Sequence, residues 1–317
     1  MAHMAGAGTR AVSVDAAARD AAEQESAFSH PFVEPYATAS YGDHADQVVD
    51  FYAPRVDPGE AKAPLVVVLH GGAWRAAYDR RHVAPFAAFL AGRAFAVASV
   101  EYRRGGAEPG AAGRWPQTLD DVAAAMDALP GLVADALPQA DPRRPVVVGH
   151  SAGGHLALWA AARHRLPEDS PWRRPEPAVG GVVALAPIAD FTKAGELSVC
   201  AGAALQFLGG LERFEERRPS ADPAALLPTG VPTTVVQGDA DIVVPAEVAE
   251  SFVRAAAEAG ETVRLTQVAD AGHFPLIDPA ADACLLVAEE ITRLVTTAQT
   301  SGTVAAVTGR PGSSTAP

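Results

Sequence analysis

The sequence predicts an α/β fold, a mostly parallel central sheet covered by helices on both faces. Three observations lead there. Short apolar runs bounded by Gly and Pro recur along the chain, segments with apolar residues at helical spacing separate them, and one run ends in a glycine-rich turn that opens into a helix. Apolar runs without polar alternation are strands buried on both faces. Strands of that kind alternating with helices require right-handed crossovers and a helical layer on each side.

In chain order, residues 47–52 read as an early strand ended by Ala53-Pro54, and residues 65–69 as a buried strand between Pro64 and Gly71. Residues 82–92 carry Val83, Phe86, Phe89 and Leu90 at helical spacing before a Gly stop, and 95–100 form the next strand. Residues 118–129 are predicted helical, with Asp120 and Asp121 at the positive end of the helix dipole. Pro145-Val146-Val147-Val148 is a strand that runs into Gly149-His150-Ser151-Ala152-Gly153-Gly154, and residues 156–162 continue as helix. Residues 182–185, 233–236 and 263–268 supply three more strands, with helices at 246–259 and 279–295. Ligands of such sheets bind beyond the carboxyl ends of the strands.

Residues 1–27 read as an N-terminal extension in which Met1-Ala2-His3-Met4 is a cloning remnant. Asp15, Asp20 and Glu23 interrupt it, so it lacks the apolar stretch of a secretory signal, and a cytoplasmic location is expected. Residues 28–296 form the expected folded domain. Within it, 190–228 break the strand–helix alternation and read as a short helical insertion, either a partial lid over the strand ends or a surface decoration. Residues 297–317, rich in Thr, Ser, Gly, Ala and Pro with a single charge at Arg310, are expected to be a disordered tail.

A formal charge of −13 and the lack of any basic stripe argue against nucleic acid or an anionic membrane as partner, leaving a small-molecule substrate. Monomer and homodimer are both open. Lys62 and Lys193 are the only lysines and neither sits in a strand-end motif, which disfavours Schiff-base chemistry. Cys200 and Cys284 have no metal-type spacing and read as free thiols. There is no metal motif, phosphate loop or dinucleotide fingerprint, so no cofactor and no metal are expected.

Gly149, Ser151 and Gly153 fill the Gly-x-Ser-x-Gly pattern of a nucleophile elbow, a strained strand-to-helix turn that leaves no room for a Cβ at the flanking positions. Ser151 is the candidate nucleophile, and the amide of Ala152 at the helix start is a candidate oxyanion donor. The strand at 65–69 runs into His70-Gly71-Gly72-Ala73-Trp74, where the amides of Gly72 and Ala73 complete the expected oxyanion hole. Trp74 either lines the substrate pocket or packs beneath the loop.

A serine hydroxyl needs a base within hydrogen-bond reach and an acid to orient it. His273, in the loop between the last strand and the last helix, is the candidate base. His150 and His155 read as packed histidines behind the elbow. Asp241, in Gly238-Asp239-Ala240-Asp241, is the candidate acid, with Asp239 its close rival and Asp190 a weaker one; Asp278 would break the order Ser, acid, His.

These segments, with Gly272-His273-Phe274 and Ile242-Val243-Val244-Pro245, resemble the α/β-hydrolase superfamily across nearly all of the expected domain, and within it the arylformamidase (kynurenine formamidase) and small-carboxylesterase branch. The His-Gly-Gly-x-Trp form leans toward the formamidase side. Many relatives carry His-Gly-x-x-Asp at the acid loop, where this chain has Gln237-Gly238-Asp239-Ala240-Asp241. The resemblance implies a metal-independent hydrolase that forms an acyl- or formyl-enzyme on Ser151, with His273 shuttling the proton and Asp241 fixing its tautomer. It implies an aryl formamide of the N-formyl-kynurenine class as substrate, a short-chain ester as the alternative, and a non-catalytic ligand-binding homologue as the reading from another class.

Overall fold

A computed structural model describes residues 13–308 apart from 56–60, 107, 109 and 110. The elements are α1 (Val14–Ser29), β1 (Ala37–Ser40), β2 (Val48–Tyr52), β3 (Ala63–Leu69), α2 (Ala84–Ala91), β4 (Ala96–Val100), α3 (Gln117–Ala136), β5 (Ala140–His150), α4 (Ala152–Ala161), β6 (Gly181–Leu185), α5 (Phe191–Glu196), α6 (Ala203–Phe207), α7 (Leu211–Ala221), β7 (Thr233–Gly238), α8 (Ala246–Glu258), β8 (Arg264–Val268) and α9 (Asp282–Thr308).

The eight strands make one sheet in the order β1-β2-β4-β3-β5-β6-β7-β8. Only β1–β2 and β2–β4 pair antiparallel; the rest are parallel. The predicted fold class is therefore the observed one. Alternation along β3 shows why its run is uniformly apolar: Leu65, Val67 and Leu69 face one core layer with α3, α4 and α8, while Val66 and Val68 face the other with α2 and α9. Full burial of each such side chain contributes about 1.5–3 kcal/mol.

The structure departs from the sequence expectation at four elements. α1 is a helix capped by Ser13, whose Oγ accepts from the Ala16 amide, and it crosses the expected boundary at residue 27. β1, Ala-Thr-Ala-Ser, alternates only alanines with small polar residues, too slight a pattern to mark a strand, and is specified by its pairing with β2. α3 continues through Pro130 to Ala136. α9 continues to Thr308, into the segment expected to be disordered. Residues 1–4 and 309–317, assigned to a remnant and to the end of that tail, lie outside the described residues.

The insertion is helical, as expected, and its two ends are drawn together by Asp222. That fully buried carboxylate accepts from the Phe191 and Ala224 amides through Oδ1, with Arg218 Nη1 3.4 Å from Oδ2. Burial, then the neighbouring Asp190, pushes its carboxyl up to about 7. Asp190 itself accepts from Lys193 N and Ser251 Oγ. An acid whose folded pKa lies above its ordinary 3.8 contributes stability below that value and loses it as pH rises through about 7. The melting temperature is accordingly expected to fall between pH 5 and pH 8, and Asp222→Asn to flatten that fall in a thermal-melt pH series; an unchanged slope would remove Asp222 as its cause.

Candidate active site

Ser151 stands between the carboxyl end of β5 and the first turn of α4 with φ 57° and ψ −117°. A conformation this sparsely populated costs about 1–3 kcal/mol and persists only where its surroundings enforce it. They do so here. The Ser151 amide donates to Leu185 O at 2.8 Å, and the Ser151 carbonyl accepts from His155 N and Ile188 N. A Cβ on Gly149 would stand 2.0 Å from Gly153 O, and one on Gly153 2.0 Å from Leu69 O. Gly153→Ala is therefore expected to destabilise the protein by about 3 kcal/mol, since the clash is with sheet backbone that cannot step aside. Chemical denaturation checks this, and a loss under about 0.5 kcal/mol, the range of a neutral surface change, would contradict it.

His273 and Asp241 come together: His273 Nδ1 lies 2.7 Å from Asp241 Oδ2, and both side chains are buried. A carboxylate can only accept, so Nδ1 donates in this bond, and Nε2 is the ring nitrogen that Asp241 leaves available. Asp241 is fixed on all sides. Its Oδ1 accepts from the Val243 and Val244 amides at 2.8 Å each, and Gln237 Nε2 reaches Oδ2 at 3.2 Å. Gln237, the residue that departs from the His-Gly-x-x-Asp pattern, thus braces the acid loop, also donating to Val244 O.

The rival carboxylates are engaged elsewhere. Asp239 accepts from Asp270 N, Asp190 caps α5, and Asp278 accepts from Ser26, His30 and the Ala280 amide.

His150 does more than pack under a sheet edge. Its Nε2–H donates to the His273 carbonyl at 3.0 Å and its ring lies 4.4 Å from the His273 ring. Burial, then the adjacent His273, holds its pKa well below the usual imidazole range. His150 is thus a neutral spacer that fixes the His273 loop to the elbow. The signal in the sequence was only its adjacency to Ser151. His155 is a core histidine, as expected: its Nε2 donates to Ala221 O, and its ring stacks on Phe191.

At the end of β3, Gly72, Ala73 and Trp74 run consecutively at positive φ (104°, 51° and 55°). Neither the Gly72 nor the Ala73 amide has an acceptor among the described residues. Ala152 is the first residue of α4, where a helix leaves its amides without internal partners. The loop is braced from behind. His70 is clamped between the Gly71 carbonyl and Glu101, at 2.8 Å each, and stacks on Tyr102 at 4.3 Å. Burial alone would push the Glu101 carboxyl up, but His70, Arg104 and the Arg80 amide outweigh it and hold it at about 2. Nothing in the spacing of His70 and Glu101 announced this pair.

Trp74 is fully buried, stacked on Phe207 of α6 and set edge-on to Phe191 and His155. These are contacts of the packing kind, the second of the two roles left open by the sequence, and they join the insertion to the loop of Gly72 and Ala73. Arg75 adds a bond to Cys200 O. Cys200 and Cys284 are free, and burial pushes their thiols up to about 11 and about 12, so neither supplies a thiolate nucleophile near neutrality. Among the described residues, no group of three or more His, Cys, Asp or Glu side chains could hold a metal ion, and no helix is long and apolar enough to cross a membrane.

The sequence profile of the BD-FAE family matches residues 49–255. Esterase B from Lactobacillus rhamnosis, solved with a C6-C4 SN3 inhibitor, superposes with a TM-score of 0.71 at 19% identity, covering 91% of this chain and 96% of its own. A truncated carbohydrate esterase from gut microbiota gives 0.68 at 19% identity, over 84% and 97%. The propionate-bound thermophilic esterase Est2 from Thermogutta terrifontis gives 0.62 at 20% identity, over 82% and 93%. At these identities the likeness is one of fold. No curated protein matches the chain.

Proposed function

Because the chain belongs to the BD-FAE family of α/β-hydrolases, we propose that it is a serine carboxylesterase acting on small esters. The observation that carries the reading is the buried His273–Asp241 pair, bound through His150 to an elbow that holds Ser151 in a strained conformation. Ser151 Oγ attacks the ester carbonyl while His273 Nε2 takes its proton. The tetrahedral oxyanion is received by the amides of Gly72, Ala73 and Ala152, each such donor being worth roughly a hundred- to a thousandfold in rate. Collapse breaks the bond to the alkoxy oxygen, which leaves as the alcohol with the proton from His273. Water, deprotonated by the same nitrogen, then releases the carboxylic acid and restores Ser151. Asp241 keeps the proton on Nδ1 throughout.

Ester rather than aryl formamide is the better reading. The esterase names among the structural neighbours support it. The test is paired steady-state kinetics on a short p-nitrophenyl ester and on N-formyl-kynurenine. A kcat/KM that favours the ester by at least about tenfold is expected, a difference of about 1.4 kcal/mol in transition-state binding. Preference for the formamide by the same margin would restore the arylformamidase assignment.

A further inference from the structure

Helix α1 lies ahead of the segment matched by the family, and its contacts converge on the loops that carry the candidate catalytic groups. Arg19 Nη2 donates to the carbonyl of Ala240, the residue before Asp241, at 3.1 Å. One turn later, Glu23 Oε1 accepts from the amide of Gly272, the residue before His273, at 3.1 Å. The two side chains approach each other to 3.9 Å. A backbone bond from Ala240 N to Ala271 O links the same two loops beneath them. A single turn of α1 therefore grips the backbone immediately before the acid and immediately before the base.

Further along, Gln24 reaches the Tyr78 hydroxyl, and Tyr78 packs so tightly on Gly72 that a Cβ there would stand 2.5 Å from its own. Ser26 and His30 hold Asp278, and the Phe28 ring meets Phe274 edge-on at 5.4 Å.

The apolar docking of the helix is confined to its C-terminal end, where Ala27 is its one buried residue and half-buried Phe28 packs against the core. Around Asp20 and Glu23 what it buries is polar: an oxygen of each is shut off from solvent with no hydrogen-bond partner among the described residues. Burial pushes both carboxyls above their ordinary range. A helix held by directed bonds to catalytic loops, at a desolvation cost, contributes position rather than core stability.

We propose that α1 is a strap that sets the geometry of the catalytic acid and base, with Glu23 the positioning residue for His273 and Arg19 for Asp241. The proposal rests on the esterase reading of the site. Releasing Gly272 lets the His273 loop drift, and a misplacement on the order of 1 Å costs up to about a hundredfold in rate. Glu23→Ala is expected to lower kcat for a short p-nitrophenyl ester about tenfold with KM within about twofold, because the loss is in geometry at the reacting atoms. Glu23→Gln, whose amide oxygen accepts the same N–H, recovers most of that loss. Glu25→Ala, at an exposed position of the same helix, leaves kcat unchanged.

Amide hydrogen exchange of the peptide spanning residues 270–274, measured on the same full-length variants, gives a readout independent of turnover. It is expected to quicken about tenfold in Glu23→Ala and little in Glu23→Gln, the scale of one lost backbone hydrogen bond. Unchanged kcat or unchanged exchange in Glu23→Ala overturns the proposal. So do equal defects in the Ala and Gln variants accompanied by equal drops in melting temperature, which would mark Glu23 as merely structural. If the wild-type protein hydrolyses no ester, the esterase reading fails by itself, and the exchange comparison alone decides whether α1 holds the His273 loop.

Discussion

Replacing Ser151 with alanine is expected to lower kcat for a short ester by about 10⁴-fold or more, while the melting temperature stays within a few degrees of wild type. Removing the nucleophile of such a triad costs about as much as removing all three members, because base and acid have nothing to activate; what remains comes from the oxyanion donors and binding. The small stability effect follows from the elbow. Ser151 is held in place by its backbone, through bonds to Leu185, His155 and Ile188, and none of these depends on the hydroxyl. Alanine meets the same positive-φ cost as serine. A melting scan beside the kinetics separates lost chemistry from lost fold. Residual activity within tenfold of wild type would move the nucleophile elsewhere.

Asp241→Asn is expected to reduce kcat by about 10³–10⁴-fold, since an amide facing His273 Nδ1 can present a donor and turn the imidazole to the wrong tautomer. The Val243 and Val244 amides still find the Asn Oδ1, so the loop stays in place and the effect is on the proton. Asp239→Asn, two residues away, is the contrasting experiment. Asp239 Oδ1 accepts from Asp270 N, a bond that an Asn oxygen reproduces, so activity within about twofold of wild type is expected. Should the two variants exchange these outcomes, the acid of the site is Asp239.

The central sheet was legible because its strands are buried on both faces. Runs such as Leu65 to Leu69 have no other stable place in a chain of this composition, and the Gly-x-Ser-x-Gly turn marks which strand carries the candidate nucleophile. Ser151, Asp241 and His273 stood out as candidates for the same reason, each following a strand in the required order. The partners that hold them could not. His150 meets His273 across 123 positions and Glu23 meets Gly272 across 249, distances over which a single sequence carries no pairing signal.

α1 was read as an extension because a helix docked by directed polar bonds shows no apolar stripe. Trp74 remained ambiguous until Phe191 and Phe207 of the insertion closed over it, a tertiary fact about residues more than a hundred positions away. β1 and the continuation of α3 past Pro130 are likewise decided by neighbours rather than by local preference.

The most direct test of the account is to treat the protein with a short-chain p-nitrophenyl phosphonate and map the adduct by mass spectrometry. One equivalent of p-nitrophenol released, one phosphonyl group on the peptide carrying Ser151, and no adduct in Ser151→Ala or, at the same exposure, in His273→Ala is the expected result. A protein that stays unlabelled, or a label that survives Ser151→Ala at wild-type stoichiometry, would contradict it.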